Sequence, residues 1–240
     1  SSCIELRGVL TGVVFDSGGS ETVRGTNQFI LKVWADKWSQ VVTIGTNQLH
    51  SLMYDGADTY FTAVFDTSNS NSTRAAMIRK GSTAIDGTDS ARVLWIAYLG
   101  KEFFAAKSVA PFPIPWSHPS LLGADSFGHD ATWLDSANLR PASLKIWMSD
   151  QLWRRELSVK GLPANEFKPF ADKEVVGVFT ADGATNIGSQ IFPQHFRLER
   201  FGPVARDKTG LMQVFEGWVH SFMELTNAPF MLPPPAPGPP

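Results

Sequence analysis

Around Asp55-Gly56 the chain reads Ser51-Leu-Met-Tyr54, then Asp55-Gly-Ala-Asp58, then Thr59-Tyr-Phe-Thr-Ala-Val-Phe65. Asp-Gly supplies the positive φ angles that tight hairpin turns demand, and β-branched and aromatic flanks suit a pleated surface. Two further Asp-Gly pairs, Asp86-Gly87 and Asp182-Gly183, also sit beside β-favouring runs. The chain reads as a meander of antiparallel strands. Within it, Ile4–Phe15, Asn27–Trp34, Trp38–Ile44, Phe192–Phe201 and the long Leu211–Leu225 are strand candidates. Asp16-Ser-Gly-Gly-Ser20 and Asp182-Gly183 are expected turns.

The period changes once. Val93-Leu-Trp-Ile-Ala-Tyr-Leu99 is apolar nearly all round and leads to Phe103-Phe104, which predicts a helix buried on most sides. Thr88-Asp-Ser90 offers capping oxygens at its start, and Lys101 and Lys107 lie near its end, where a cation complements the helix dipole. From Ala110 to Ala142 regular patterning fails under Pro111, Pro113, Pro115 and Pro119. Because that stretch still carries Phe112, Trp116, Phe127 and Trp133, a packed strap across the sheet is expected. The fold class is therefore mainly β with few helices: a curved antiparallel sheet, or incompletely closed β-barrel, covered by a buried helix and a proline-rich strap. Residues 1–232 are expected to form a single domain, and 233–240 a disordered proline-rich tail.

Composition narrows the function classes. In 240 residues the net charge is −2, so bulk electrostatics do not attract nucleic acid. A single cysteine, Cys3, excludes an intramolecular disulfide and a cysteine-based zinc site. Ser1-Ser2-Cys3 could end a lipoprotein cleavage box, with Cys3 as the lipidated residue; otherwise it is an incidental thiol. The chain enters a strand almost at once, as an exported protein does after loss of a signal peptide. The histidines His50, His118, His129, His195 and His220 form no His-x-x-x-His or His-Glu-x-x-His pattern, so no metal or cofactor is expected. Gly-x-Ser-x-Gly, Gly-x-Gly-x-x-Gly and Walker loops are absent, and Glu216 and Glu224 read as a wet strand face. A hydrolase assembled from distant residues, around His129, His195 or His220, stays as a minor alternative to a non-enzymatic protein.

The chain carries seventeen Phe and eight Trp, and the eight tryptophans exceed what a core of this size routinely uses. Phe29–Trp34 and Tyr60–Phe65 are apolar on both faces, so both faces of the central sheet are expected to need cover. Trp34, Trp38, Trp95, Tyr98 and Trp218 are the candidate ligand-binding residues of an apolar cavity between sheet and helix.

The succession Phe29-Ile-Leu-Lys-Val-Trp34, Lys37-Trp38, Tyr54-Asp-Gly-Ala-Asp-Thr-Tyr60 resembles the LolA/LolB-like periplasmic lipoprotein-carrier superfamily, and within it the outer-membrane lipoprotein-sorting type. The resemblance implies a half-barrel plugged by helices that holds a lipid or an acylated protein. It also implies a periplasmic or outer-membrane location, with peripheral or lipid-anchored membrane association. A scaffold with an aromatic surface patch for a protein or glycan is the competing reading.

Overall fold

The computed structural model describes residues 2–64, 74–79, 89–105, 127–148, 174–205 and 208–231. Among the described residues eleven strands and two short helices follow one another as β1 (Cys3–Phe15), β2 (Glu21–Val33), β3 (Trp38–Ile44), β4 (Gln48–Tyr54), β5 (Thr59–Val64), β6 (Arg74–Arg79), α1 (Asp89–Tyr98), α2 (Gly100–Ala105), β7 (Phe127–Asp135), β8 (Arg140–Met148), β9 (Glu174–Ile187), β10 (Gln190–Ala205) and β11 (Lys208–Leu225). The strand order is β6-β5-β4-β3-β2-β1-β11-β10-β9-β8-β7, so the sheet has two ends and does not close into a barrel. Every pairing whose register is described is antiparallel. The expected meander is what the chain forms.

The chain divides into two compact units. The first comprises Ser1–Thr11, Gly25–Gly87 and Gly217–Pro240, and the second Gly12–Arg24 and Thr88–Glu216.

In the first unit, register sets three cross-strand rows on one face of β2 to β5. Phe29 pairs with Val42, Val42 with His50 and His50 with Ala63. Leu31, Gln40, Leu52 and Phe61 form the next row, and Val33, Trp38, Tyr54 and Thr59 the third. Phe29, Leu31, Trp38, Gln40, Val42, Leu52, Thr59 and Ala63 are all buried. On the opposite face, Ile30, Val41, Thr43, Tyr60, Thr62 and Val64 keep partial exposure. One face is thus buried, while on the other Met53 is buried and its neighbours keep part of their surface, as folded proteins generally tolerate.

The Asp55-Gly56 hairpin is where it was expected, with a different division of labour. Gly56 alone of the pair takes a positive φ, +97°. Asp55 acts through its side chain: Oδ1 accepts the amides of Ala57 (2.9 Å) and Asp58 (2.8 Å), and Oδ2 accepts the Tyr60 hydroxyl at 2.9 Å. Asp16 does the same in its turn, accepting the amides of Gly18 and Ser20.

Asp182-Gly183 is a correction. The pair lies inside β9, with Gly183 at φ +65°, and the chain reverses between Ile187 and Gln190. Pairing with β10 carries the backbone hydrogen bonds through a polar, exposed stretch that has no apolar alternation to announce a strand. The patternless stretch is likewise shorter than expected, because β7 and β8 begin within it. Expectations for the proline strap up to residue 126, for Thr88, Lys107 and the tail 233–240 lie outside the described residues.

Candidate functional site

The five aromatic residues singled out from the sequence fall in both units. Trp34, Trp38 and Trp218 belong to the first, and Trp95 and Tyr98 to the second.

In the first unit, Trp38 is 1 % exposed and stacks near Tyr54, ring centroids 6.3 Å apart. Trp34 follows β2 and donates its indole N–H to the Ala228 carbonyl at 3.2 Å. The Phe230 ring stands edge-on to Trp34 at 5.2 Å, and the Lys37 ammonium lies 5.5 Å from the Phe230 centroid. The segment after β11 therefore straps Trp34 down. Trp218 is different: it is 53 % exposed on β11.

At the middle of the sealed face sits a polar side chain that sequence reading passed over. Gln40 is buried between Leu31 and Leu52. Among the described residues neither its Oε1 nor its Nε2 has a hydrogen-bond partner. A buried donor or acceptor left unmade costs roughly 1–3 kcal/mol. Strand alternation alone marks position 40 as core, between Trp38 and Val42, and a glutamine there was the available signal. Nearby, burial holds the His50 imidazole below its ordinary pKa, which favours the neutral ring.

The other face of this unit carries charge. Glu5 is buried, yet accepts the Arg7 Nε at 2.7 Å and the Lys32 ammonium at 3.1 Å. Burial pushes its carboxyl up, but the hydrogen bonds and charges of Arg7 and Lys32 outweigh that and hold it below the usual range. A shallow pocket of about 150 Å³, partly lined by Arg7, Gln28, Ile30, Val41, Thr43 and His220, lies here. It is below the roughly 300 Å³ at which small-molecule sites begin. Cys3, the expected lipidation residue, is 2 % exposed in β1, and burial raises its thiol pKa.

In the second unit, α1 is buried as its sequence demands, with Val93 to Leu99 all at 5 % exposure or less. It packs on β8 and β10. Tyr98 meets Phe196 edge-on at 5.6 Å, and Phe196 stacks near Phe179 at 6.1 Å, so side chains fill the contact between helix and sheet at this point. The predicted single helix is two, broken before Gly100, and a cation that closes the end of α1 is Arg140. Arg140, 42 residues on in sequence, donates Nε–H to the Tyr98 carbonyl at 2.9 Å. Its Nη1 lies 2.9 Å from Asp135 Oδ2, its Nη2 donates to Gln190 Oε1 at 2.6 Å, and the guanidinium sits 4.0 Å over the Phe192 ring. Burial lowers the Arg140 pKa to about 10, with Asp135 opposing. Asp135 also accepts the Ile191 and Asn138 amides, and these with Arg140 overcome its own burial and hold its pKa low. This network ties helix to sheet.

His195, a candidate for the minor enzymatic reading, lies between two carboxylates. Its Nδ1 is 3.3 Å from both Asp182 oxygens and its Nε2 is 2.9 Å from Glu216 Oε1. Carboxylates on opposite ring nitrogens cannot converge on one ion, and no metal-holding cluster of three or more His, Cys, Asp or Glu occurs among the described residues. His129 packs 4.9 Å from the Phe104 ring, and His220 is exposed in β11.

No protein-family model matches the chain, and neither does any curated protein. Solved structures do. The LolA superfamily protein NE2245 from Nitrosomonas europaea aligns over 95 % of this chain and 87 % of its own, at 11 % identity and a TM-score of 0.42. An outer membrane lipoprotein-sorting protein domain from Vibrio parahaemolyticus aligns over 95 % of this chain and 87 % of its own, at 8 % identity and a TM-score of 0.35. A DUF1329 family protein from Desulfovibrio piger ATCC 29098 aligns over 95 % of this chain and 87 % of its own, at 9 % identity and a TM-score of 0.39.

Proposed function

We propose that this chain is a non-enzymatic protein of the bacterial envelope, periplasmic or at the outer membrane, that binds a lipid or lipoprotein acyl chain against the apolar face of β2 to β5. The observation that carries the reading is that face itself. Phe29, Leu31, Trp38, Val42, Leu52 and Ala63 put one continuous apolar surface on four neighbouring strands. A sheet face of this kind is stable only when another layer covers it. An alkyl chain suits such a layer, since each methylene removed from water contributes about 0.8 kcal/mol before ordering costs. No helix among the described residues is long and apolar enough to cross a membrane.

Filling the face from the protein side tests the reading. Ala63→Leu places three extra carbons in the row of Phe29, Val42 and His50. It is expected to weaken binding of a fluorescent dodecanoyl probe at least about tenfold, with the fold intact by circular dichroism. Equal affinity in the two proteins, or no binding by the unsubstituted chain, rules the reading out.

Trp218 favours a second reading. Its exposed ring on β11 is the kind of flat aromatic surface used to recognise a protein or glycan. Trp218→Ala would abolish partner capture under that reading and leave the dodecanoyl probe unaffected.

A further inference from the structure

The charged face of the first unit holds more positive charge than its buried carboxylate needs. Glu5 is bonded both by Arg7, through Nε at 2.7 Å, and by Lys32 at 3.1 Å. Two cations against one carboxylate leave a positive charge over, in a chain whose net charge is −2. The bond to Nε fixes the plane of the Arg7 guanidinium and leaves its two-nitrogen edge for another acceptor. Among the described residues neither Nη group of Arg7 makes a hydrogen bond.

Arg7 also lines the pocket of about 150 Å³ on this face. Register sets Gln28 opposite Thr43 and Ile30 opposite Val41, and His220 reaches the same pocket from β11. Among the described residues the lining thus joins the Arg7 cation, three hydrogen-bonding side chains and two aliphatic ones, with no Asp or Glu. That volume is room for on the order of ten water-sized atoms, which excludes a long acyl chain and admits a small molecule.

We propose that this pocket binds a small alkyl monocarboxylate, with the carboxylate on the Arg7 Nη groups and the alkyl body on Ile30 and Val41. The site is separate from the face of Phe29 and Val42, because Ile30 and Val41 alternate with those residues along β2 and β3 and point to the other side of the sheet. A carboxylate offers the guanidinium edge two coplanar oxygens, and Gln28, Thr43 and His220 supply donors for its remaining lone pairs. Ile30 and Val41 keep part of their surface, which a short alkyl group removes from water. An uncharged molecule of the same shape leaves the Arg7 edge unanswered. A dianion such as phosphate brings a second charge that this lining does not neutralise, and has no alkyl part for the aliphatic pair.

The test titrates butyrate, butyramide, acetate and phosphate into the full chain at neutral pH and low salt, followed by the amide NMR spectrum. Butyrate is expected to saturate with a Kd on the order of 1 mM, about fivefold tighter than acetate and at least about tenfold tighter than butyramide. Arg7→Met should weaken butyrate at least about tenfold, while Lys32 still pairs with Glu5 and keeps the fold. Should that variant not fold, Val41→Phe fills the pocket from a part-exposed position and should weaken butyrate as much. Butyramide binding as tightly as butyrate, phosphate binding more tightly, or no saturation below about 50 mM overturns the proposal. Butyrate binding that survives both substitutions lies elsewhere on the protein and overturns it too.

Discussion

The Arg140 guanidinium hydrogen-bonds the carbonyl of Tyr98, Nε to O 2.9 Å, and so closes the C-terminal end of α1 from a strand 42 residues away. The same guanidinium is 2.9 Å from Asp135, and both side chains are at most 5 % exposed. Truncating one partner of a buried pair leaves the other charge uncompensated, at about 3–5 kcal/mol. Arg140→Met should therefore lose about that much stability in urea denaturation. A loss below about 1 kcal/mol would show that the network is not what holds helix to sheet.

Gly100 and Gly8 predict a steric contrast. A Cβ on Gly100 would collide with the Leu139 carbonyl, where Leu139 itself sits at φ +53°. A Cβ on Gly8 would run into the Trp218 carbonyl and the Phe29 ring. Gly25 has open space around it. Gly8→Ala and Gly100→Ala should each cost about 2 kcal/mol or more, and Gly25→Ala less than about 0.5 kcal/mol in either direction. Thermal melts of the three variants separate the cases.

Acid should loosen the fold through Glu5 and Asp135. Both carboxyls are held below their ordinary values in the folded chain. Their contribution is therefore fully present above the unfolded values near pH 4 and is lost as pH falls through the lower, folded values. Glu5→Gln should be less stable than the parent at pH 7 and show a shallower decline below pH 4.5. Parallel pH profiles for the two proteins would contradict this.

At the first hairpin, Asp55→Ala removes acceptors for two backbone amides and the Tyr60 hydroxyl. A loss of about 1–2 kcal/mol is expected. Asp55→Asn, which keeps one acceptor oxygen, should recover part of it.

Much of this architecture was legible in the residues. Trp38–Ile44 reads as a strand because Trp38, Val42 and Ile44 fall on one face at a period of two, and β3 has those bounds. The buried helix was legible because Val93 to Leu99 has no polar face to turn outward. Strands with no wet–dry alternation were not. Glu21–Gly25 of β2 is exposed throughout, and β7 carries His129, Asp130 and Thr132 outward, so cross-strand hydrogen bonds alone define them. Asp182-Gly183 misled because a glycine with positive φ serves a kink within a strand as well as a turn. The Arg140–Asp135 network was invisible: the two residues flank one turn, but the Tyr98, Gln190 and Ile191 groups that they also bind lie on α1 and β10. Of the candidate aromatics, Trp38 was found on the apolar face by simple periodicity. Gln40, two residues on, needed the register to show that its neighbours across the sheet are both leucine.

Native mass spectrometry of protein purified from a Gram-negative periplasm, with no detergent at any step, tests acyl binding most directly. The account predicts a species heavier than the polypeptide by the mass of one lipid or acyl chain. After organic extraction and refolding, added dodecanol should restore a one-to-one adduct, and Ala63→Leu should hold neither. Bare polypeptide mass throughout, with no adduct on adding the alcohol, would contradict it.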